Sequence, residues 1–343
     1  MCSPPTSTSR RRRHRTPSSS ICRCPAVSAH AAPTTSSPAS GTRSTAGSDV
    51  AVAVTGASGY IGRRVVARLQ GEGTSVVALS RAGETGRFRD LLDGREGTLA
   101  ELMVGTQALV HLAGRLVDDV AAPVEAYLEP NVVLTDRALA AAVEDHVEVV
   151  VHASSRLVYP SDLTTPAVED RDARPDTAYG LSKLWAEDVV RFRTAGTGTS
   201  ALSLRVAQVT GGDHPGLGVI NTFIRQARET GRLTVRGSGA AVREVVHVDD
   251  VVEAVISALQ HRGPWTPVNV GGVGPMTVAE IAGQVAESAG LGPEAVRHVP
   301  VDHDDLSVYA LDPTHRREVL PWEPKWSMPD IITEAMQQKE ESR

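Results

Sequence analysis

From residue 50 onward, short apolar stretches alternate with longer stretches in which apolar residues recur at helical spacing. The short stretches are rich in Val, Ala and Leu on both faces, which is typical of strands buried in a sheet. Strands are predicted at residues 50–54, 75–79, 108–112, 147–152 and 201–206, and helices at residues 61–70, 124–143 and 181–193. This alternation indicates an α/β fold in which a doubly wound parallel sheet carries helices on both faces.

After Val206 the alternation loosens into segments that contain Gly and Pro, with helices predicted at residues 219–229, 250–260 and 278–289. We therefore expect the chain after residue 48 to form two structural parts. Residues 49–206 form the sheet domain. Residues 207–343 form mainly a smaller C-terminal substrate-binding lobe, with late strands and helices that return to the sheet.

The first 48 residues differ in composition from the rest of the chain. Ser, Thr, Pro and Ala dominate, Arg10 to Arg13 form a basic run, and the first acidic residue is Asp49. This composition resembles an organelle transit peptide, although a start codon assigned too far upstream explains it more simply. We expect residues 1–48 to be a disordered or non-native N-terminal extension. All three cysteines lie in it, at Cys2, Cys22 and Cys24, so a reducing, cytoplasmic location is expected.

Net charge and hydropathy narrow the range of partners. The 343 residues carry a formal net charge of -6, and no run of about eighteen apolar residues occurs. Neither nucleic acid nor a membrane is therefore expected as a partner. His111 and His152 stand at apolar strand ends and are expected in the core. No His, Cys or carboxylate cluster has the spacing of a metal site, so the expected partner is a small organic molecule.

The turn after the first predicted strand reads Thr-Gly-Ala-Ser-Gly-Tyr-Ile-Gly, residues 55–62, and opens a helix. Three glycines at this spacing are typical of a dinucleotide-binding turn in a Rossmann domain. The first forms the tight turn, the second lets the backbone approach a pyrophosphate, and the third lets helix and strand pack closely. The helix N-terminus offers free N–H groups to the anion. The predicted cofactor contacts are Gly56, Ser58, Gly59, Tyr60, Ile61 and Gly62.

The end of the second predicted strand discriminates between the two nicotinamide dinucleotides. An acidic residue there would bind the ribose 2′-hydroxyl of NAD, but the chain reads Ala78-Leu79-Ser80-Arg81. Ser80 can donate a hydrogen bond to a 2′-phosphate, and Arg81 can pair with it. NADP(H) is therefore the favoured cofactor, with NAD(H) possible.

Further motifs follow in order and together resemble the extended short-chain dehydrogenase/reductase family of NDP-sugar epimerases, dehydratases and ketoreductases. The resemblance extends from Val50 to about Gln337. After the glycine turn it rests on His-Leu-Ala-Gly at 111–114, Asn-Val-Val-Leu-Thr at 131–135, Ser-Ser-Arg-Leu-Val-Tyr at 154–159, Tyr-Gly-Leu-Ser-Lys at 179–183, Arg-Val-Ala-Gln-Val-Thr-Gly at 205–211 and Arg-Glu-Val-Val-His-Val-Asp-Asp at 243–250. Leu134 and Gln208 replace the family's usual glycine and asparagine.

The resemblance implies roles for single residues. Tyr179 is expected to be the general acid/base, Lys183 its electrostatic partner and a ligand of the nicotinamide ribose, and Ser155 a hydrogen-bonding partner of the reacting sugar oxygen. An unperturbed tyrosine has a pKa of about 10, so we expect the site to lower it through the ammonium and the nicotinamide charge. The resemblance also implies a homodimer. Further implied contacts are Leu112, Ala113 and Gly114 with the cofactor, Asp90 and Leu91 with adenine, and Arg243 with the diphosphate of a nucleotide-sugar substrate.

The residues after Ser155 narrow the range of expected reactions. A 4,6-dehydratase of this family carries an acidic pair there, whereas this chain has Arg156 and Leu157. We favour NADPH-dependent reduction of the 4-keto group of an NDP-4-keto-6-deoxyhexose, with dTDP as the expected nucleotide. The alternative is an NAD-dependent NDP-hexose 4-epimerase, for which a carboxylate would end the second strand. A non-catalytic NADP-sensing regulator is the third interpretation, although both Tyr179 and Lys183 are present.

Overall fold

The computed structural model describes residues 51–83, 86–116, 121–212 and 218–341, so the predicted extension at 1–48 lies outside the described residues. The strands are β1 (Ala51–Thr55), β2 (Ser75–Arg81), β3 (Phe88–Asp90), β4 (Glu96–Gly97), β5 (Ala108–His111), β6 (Val149–Ser155), β7 (Ser200–Val206), β8 (Gln208–Thr210), β9 (Leu233–Arg236), β10 (Val242–Arg243), β11 (Val245–His247), β12 (Thr266–Val270), β13 (Met276–Thr277), β14 (Val296–Val299) and β15 (Val308–Tyr309). The helices are α1 (Gly62–Gly71), α2 (Leu99–Leu102), α3 (Glu125–Tyr127), α4 (Leu134–Glu144), α5 (Ala178–Thr194), α6 (Val219–Thr230), α7 (Val248–Ala258), α8 (Val278–Ser288), α9 (Thr314–Val319) and α10 (Met328–Glu341).

The central sheet has eight strands in the order β12-β7-β6-β5-β1-β2-β3-β4. The first six strands of that order pair in parallel, and β3 and β4 extend one edge with antiparallel pairs. Strand β12 comes from late in the chain and lies beside β7. The predicted α/β fold with a doubly wound parallel sheet is confirmed.

Apolar side chains at alternate strand positions build a core on each face of this sheet. Val52 and Val54 of β1 belong to one cluster, together with Val65 of α1. Ala53 belongs to the other cluster, together with Leu139 of α4. Because successive side chains point to opposite faces, a strand buried on both faces reads as a continuous apolar run. That is the reason the sequence pattern located these strands.

A third core lies in the later part of the chain. Helices α6, α8 and α10 pack with β9 around Phe223, Ile224, Ile281 and Ile332. Three small sheets, β13-β10-β15, β11-β8 and β14-β9, accompany this core. Among the described helices, none has both the length and the apolarity needed to cross a membrane.

The helix predicted over residues 124–143 is interrupted. It forms as α3, a π-helical turn at Leu128–Val133, and α4. Pro130 lies in that turn and has no N–H to donate, so regular α-helical hydrogen bonding cannot continue through it. The wider turn places Asn131 in a buried position, 1% exposed, where its Nδ2 donates to the Ser182 hydroxyl at 2.9 Å.

Candidate active site

The turn after β1 presents bare backbone. Gly56 has a φ of +71°, and a Cβ on it would lie 2.8 Å from the Ala113 amide nitrogen. A Cβ on Gly62 would collide with the Gly56 carbonyl oxygen. Helix α1, ten residues long, begins at this point. A turn with glycine at three positions and a helix N-terminus at its end fits the pyrophosphate of a dinucleotide, because free N–H groups and close backbone approach are both available.

Other predicted cofactor residues lie beside this turn. The Ser58 and Ser80 hydroxyl oxygens are 3.0 Å apart, which ties the turn to the end of β2. The Leu112 amide donates to the Thr55 carbonyl at 3.2 Å, so the segment Leu112-Ala113-Gly114 also borders the turn. Two side chains point elsewhere. Tyr60 donates its hydroxyl to the Gly211 carbonyl, and Ile61 packs against the apolar core.

A cavity of about 450 Å³ lies at the end of β2. Its lining consists of Ser80, Arg81, Ala82, Gly83, Arg89, Leu91 and Glu96. Arg89 Nε donates to Glu96 Oε1 at 2.7 Å, so these two charges compensate each other. Arg81, in contrast, forms no ion pair with any carboxylate in the described part of the chain.

Asp90 does not reach this cavity, although Leu91 does. Asp90 is 2% exposed, and its Oδ1 accepts from the Ala78 amide at 3.1 Å and from the Leu92 amide at 3.0 Å. These bonds hold the strand pair β2–β3 together. The carboxylate therefore has a structural role, and adenine contact by its side chain is not supported by this geometry.

Helix α5 carries the predicted catalytic pair at its buried N-terminal end. The Thr177 hydroxyl caps the helix by accepting from the Gly180 amide at 3.0 Å. A Cβ on Gly180 would collide with the Leu157 carbonyl oxygen, so glycine allows the helix to lie against the turn that follows β6. Tyr179 and Lys183 are four residues apart, which places them on one face, and each is 7% exposed.

Ser155 meets the tyrosine where β6 ends. Its hydroxyl is a hydrogen-bonding partner of the Tyr179 phenol and also accepts from the Leu157 amide at 3.2 Å. Tyr127 contacts the same phenol ring edge-on, with ring centroids 5.8 Å apart. The structure therefore brings Ser155 and Tyr179 together, with Lys183 one helical turn away.

Burial shifts the pKa of the Tyr179 phenol and that of the Lys183 ammonium in opposite directions. Loss of solvent raises the pKa of Tyr179 to about 12, and the Ser155 hydrogen bond opposes this rise only in part. Loss of solvent also lowers the pKa of Lys183 to about 8, opposed by the negative charge of Glu187. Among the protein groups, desolvation outweighs the Ser155 hydrogen bond, whereas the expected lowering of the Tyr179 pKa also depended on the charge of a nicotinamide. The phenol is protonated at neutral pH.

A buried polar network beneath α5 was missed by the sequence motifs. Glu187 accepts from Arg205 Nη2 at 2.7 Å and Nε at 3.0 Å, and also from the Ser154 hydroxyl. Arg205 also donates to the Tyr159 hydroxyl at 3.0 Å, and that hydroxyl donates to Asn269 Oδ1 at 2.6 Å. The network joins α5 to β6, β7 and β12. One sequence feature could have predicted this network: Glu187 lies four residues after Lys183, on the same helix face.

Two histidines lie next to the lysine. The rings of His111 and His152 stack with centroids 5.8 Å apart. His111 is bonded at both nitrogens, to the Thr55 hydroxyl at 2.7 Å and to the Thr135 hydroxyl at 3.0 Å. Burial, followed by the Lys183 charge, lowers the pKa of His111 to about 3 and that of His152 in the same direction. Both are neutral core residues, as expected.

Arg243 lies on β10 with its charge already compensated. Its Nη2 donates to Asp305 Oδ2 at 2.8 Å, and its Nη1 donates to the Ser307 hydroxyl at 3.2 Å. The guanidinium lies 4.6 Å from the centroid of the Tyr309 ring. Within the described ranges, no group of three or more His, Cys, Asp or Glu side chains is arranged to hold a metal ion.

Residues 52–271 match the NAD dependent epimerase/dehydratase family. The chain belongs to this family. It is an NAD(P)-dependent enzyme of the extended short-chain dehydrogenase/reductase type, and the resemblance drawn from the motifs is confirmed. Its epimerase/dehydratase fold places the glycine turn and the Tyr179–Lys183 face at the carboxyl ends of parallel strands, where open α/β sheets bind ligands.

Three comparisons illustrate the range of this family. The chain is 31% identical over 310 residues to UDP-glucose 4-epimerase of Mycolicibacterium smegmatis, covering 83% of this chain and 96% of that protein. It is 31% identical over 305 residues to dTDP-6-deoxy-L-talose 4-dehydrogenase (NAD(P)(+)) of Kitasatospora kifunensis, with 82% and 93% covered. The solved structure of MoeE5 in complex with UDP-glucuronic acid and NAD matches with a TM-score of 0.69 at 28% identity, covering 85% of this chain and 99% of that one. Family membership therefore does not select the reaction.

Proposed function

We propose that this enzyme reduces the 4-keto group of an NDP-4-keto-6-deoxyhexose with NADPH, with dTDP as the nucleotide. The cavity at the end of β2 carries the proposal, because it offers a 2′-phosphate the Ser80 hydroxyl and the Arg81 guanidinium, which pairs with no carboxylate among the described residues. Glu96 is the acidic residue of its lining, and Arg89 compensates it. Reductive biosynthesis generally uses NADPH, so the cofactor preference favours reduction.

Named residues would hold each part of the cofactor. The glycine turn would bind the pyrophosphate, with the segment Leu112-Ala113-Gly114 beside it. Ser80 and Arg81 would bind the 2′-phosphate, and Lys183 the nicotinamide ribose. The chemistry that a nicotinamide nucleotide supplies when bound is hydride transfer.

The protein supplies the proton. Tyr179 is protonated at neutral pH, since burial raises its pKa to about 12, and it donates the phenolic proton to the sugar oxygen at C4. Ser155 hydrogen-bonds the same oxygen. Lys183 stabilises the phenolate that remains, because an ammonium one helical turn away offsets the new negative charge. A phenol that starts in the protonated form suits the reductive direction.

NADPH consumption in the presence of dTDP-4-keto-6-deoxyhexoses tests this proposal. We expect NADPH to be oxidised in proportion to the sugar reduced. Inversion at C4 of a UDP-hexose without net oxidation would instead establish the 4-epimerase, the alternative that the relative from M. smegmatis supports. Absence of both reactions in a folded protein that binds NADP(H) would favour the regulator.

Quaternary structure and location belong to the same proposal. Trp185 and Phe192 of α5 are 37% and 76% exposed, and apolar side chains on this helix suit a homodimer built through it. Sedimentation velocity should give a dimer, and Phe192→Asp should shift it toward the monomer. The absence of cysteine from residue 49 onward supports a reducing, cytoplasmic setting.

A further inference from the structure

A single peptide group joins the glycine turn to the C-terminal helix. The carbonyl of Gly211, directly after β8, accepts from the Tyr60 hydroxyl of that turn. The amide of the same peptide group, which belongs to Gly212, lies 3.3 Å from each carboxylate oxygen of Glu334 on α10. Rotation of this peptide plane would break both contacts at once. The glycine turn and α10 therefore hold one peptide group between them.

Two consecutive glycines permit this arrangement. Gly211 has a φ of +96° and Gly212 a φ of +53°, in the left-handed region that glycine enters without strain. A Cβ on Gly211 would collide with the imidazole of His247, and a Cβ on Gly212 would collide with the guanidinium of Arg64. The peptide is thus packed closely between a side chain of β11 and a side chain of α1.

Glu334 is itself held in place by His247. The Nδ1 of this imidazole accepts from the Asp249 amide at 3.2 Å, so in the neutral ring the proton lies on Nε2. Nε2 then donates to Glu334 Oε2 at 3.0 Å. The His247 ring is 1% exposed and stacks on Trp326, with ring centroids 3.8 Å apart. The carboxylate that accepts from the Gly212 amide therefore has a fixed position.

Tyr60 is fixed on the other side of the peptide. Its backbone belongs to the glycine turn, and its carbonyl accepts from Arg64 Nη1 at 2.9 Å. The same guanidinium lies 4.6 Å from the centroid of the Tyr60 ring. Because one arginine contacts both the ring and the backbone carbonyl of Tyr60, a change in the position of the ring acts on the turn itself.

We propose that the Gly211–Gly212 peptide couples α10 to cofactor binding, with Glu334 as a positioning residue for the glycine turn. A carboxylate at the amide end polarises the peptide group, which makes its carbonyl a stronger acceptor for the Tyr60 phenol. Coupling of this kind is reciprocal, so a dinucleotide that orders the turn also stabilises the contact with α10. The proposal rests on the proposed function only in placing a nicotinamide dinucleotide at the turn, whether NADPH or NADH.

A double-mutant cycle on the full chain measures the coupling. The variants are Tyr60→Phe, Glu334→Gln and the two combined, and titration calorimetry gives their affinities for NADPH and NADH. Each single substitution should weaken affinity about three- to tenfold, the range for one lost hydrogen bond. The double variant should bind no more weakly than the weaker single variant, because either substitution already releases the peptide. Glu287→Gln, at an exposed position of α8, is the matched control, with no change expected.

Hydrogen exchange tests the reverse direction of the coupling. In the unmodified protein, a saturating dinucleotide should slow amide exchange in residues 328–337 of α10 more than in α8, which packs in the same core and is the internal reference. In Tyr60→Phe at saturating dinucleotide, this additional protection of α10 should be lost. A tyrosine that only fills space would leave the protection unchanged.

Three results would overturn the coupling. They are affinity losses that multiply in the double variant, unchanged affinity in Glu334→Gln, and no dinucleotide binding by the unmodified protein. If Glu334→Gln does not fold, Tyr60→Phe and the exchange measurement decide.

Failure of the coupling is distinguishable from failure of the proposed reaction. A protein that shows the coupled losses but oxidises no NADPH with 4-keto sugars would refute the reductase and leave the coupling in place. Conversely, NADPH oxidation by a protein in which the two losses multiply would refute the coupling and leave the reductase in place.

Discussion

The glycine turn after β1 and the polar network beneath α5 are built by opposite means. The turn occupies eight consecutive residues, 55–62, and depends on the missing side chains of its three glycines. The network joins Glu187 of α5, Ser154 of β6, Arg205 of β7 and Asn269 of β12 with Tyr159 from the turn after β6, and works by charged and polar side chains. Both hold parts of one candidate site at the same edge of the sheet.

The difference between them shows where each is vulnerable. An added methyl group should break the turn, because its backbone is already in contact. Removal of one charge should break the network, because the partner is left buried and uncompensated. Single substitutions can separate these two kinds of failure.

Tyr179→Phe should have the largest effect. Loss of the phenolic proton donor is expected to lower kcat by about 10²- to 10⁴-fold, the usual contribution of a positioned acid. NADPH affinity and the unfolding midpoint should stay close to those of the unmodified protein, since only one hydroxyl is removed. Turnover within a factor of two of the unmodified enzyme would contradict the role given to Tyr179.

Glu187→Gln should break the network. Arg205 would remain buried without its counter-charge, which is expected to lower the free energy of unfolding by about 3–5 kcal/mol in urea titrations. The next residue provides the control. Asp188 pairs with Arg191 on the exposed face of α5, so Asp188→Asn should cost no more than about 0.5 kcal/mol. Equal losses of unfolding free energy in the two variants would show that the buried Glu187–Arg205 pair stabilises the fold no more than the exposed Asp188–Arg191 pair.

Gly62→Ala should break the turn. The added Cβ meets the Gly56 carbonyl oxygen, so we expect a loss of about 1–3 kcal/mol in unfolding free energy together with weaker NADPH binding. Gly71→Ala at the other end of α1 is the control, since nothing lies within 4 Å of the added Cβ. That substitution should leave binding unchanged. Retained NADPH affinity in Gly62→Ala would argue against pyrophosphate binding at this turn.

A fall in pH should lower the free energy of unfolding through the buried His111. Burial lowers the pKa of His111 to about 3, so from pH 6.5 down toward 3 the unfolded state takes up a proton that the folded state does not. Stability is therefore lost as pH falls, by about 1.4 kcal/mol per pH unit for one such group. His111→Gln should flatten the dependence of unfolding free energy on pH, and His298→Gln, on an exposed residue, serves as control. An unchanged slope in the His111 variant would contradict this account.

Arg81→Ala should have the smallest effect, and it tests whether the site distinguishes NADPH from NADH. Loss of one cation facing a 2′-phosphate is expected to raise the KM for NADPH about tenfold. The KM for NADH should not change, because NADH lacks that phosphate. A parallel rise for both cofactors would place Arg81 outside 2′-phosphate recognition.

The amino-acid sequence by itself determined the features that depend on neighbours along the chain. Runs of Val, Ala and Leu marked buried strands, three glycines marked the turn, and the spacing of Tyr179 and Lys183 placed them on one face. These follow from side-chain periodicity and backbone sterics, which act over a few residues.

Only the tertiary structure decided which groups are desolvated and which charges meet. It turned Asp90 inward, interrupted the helix at Pro130, and seated Glu187 against Arg205. It also buried the Tyr179 phenol, and this loss of solvent raises the pKa of the phenol to about 12. The physical reason is that desolvation and ion pairing depend on the distant segments that pack over a residue, which no local pattern records.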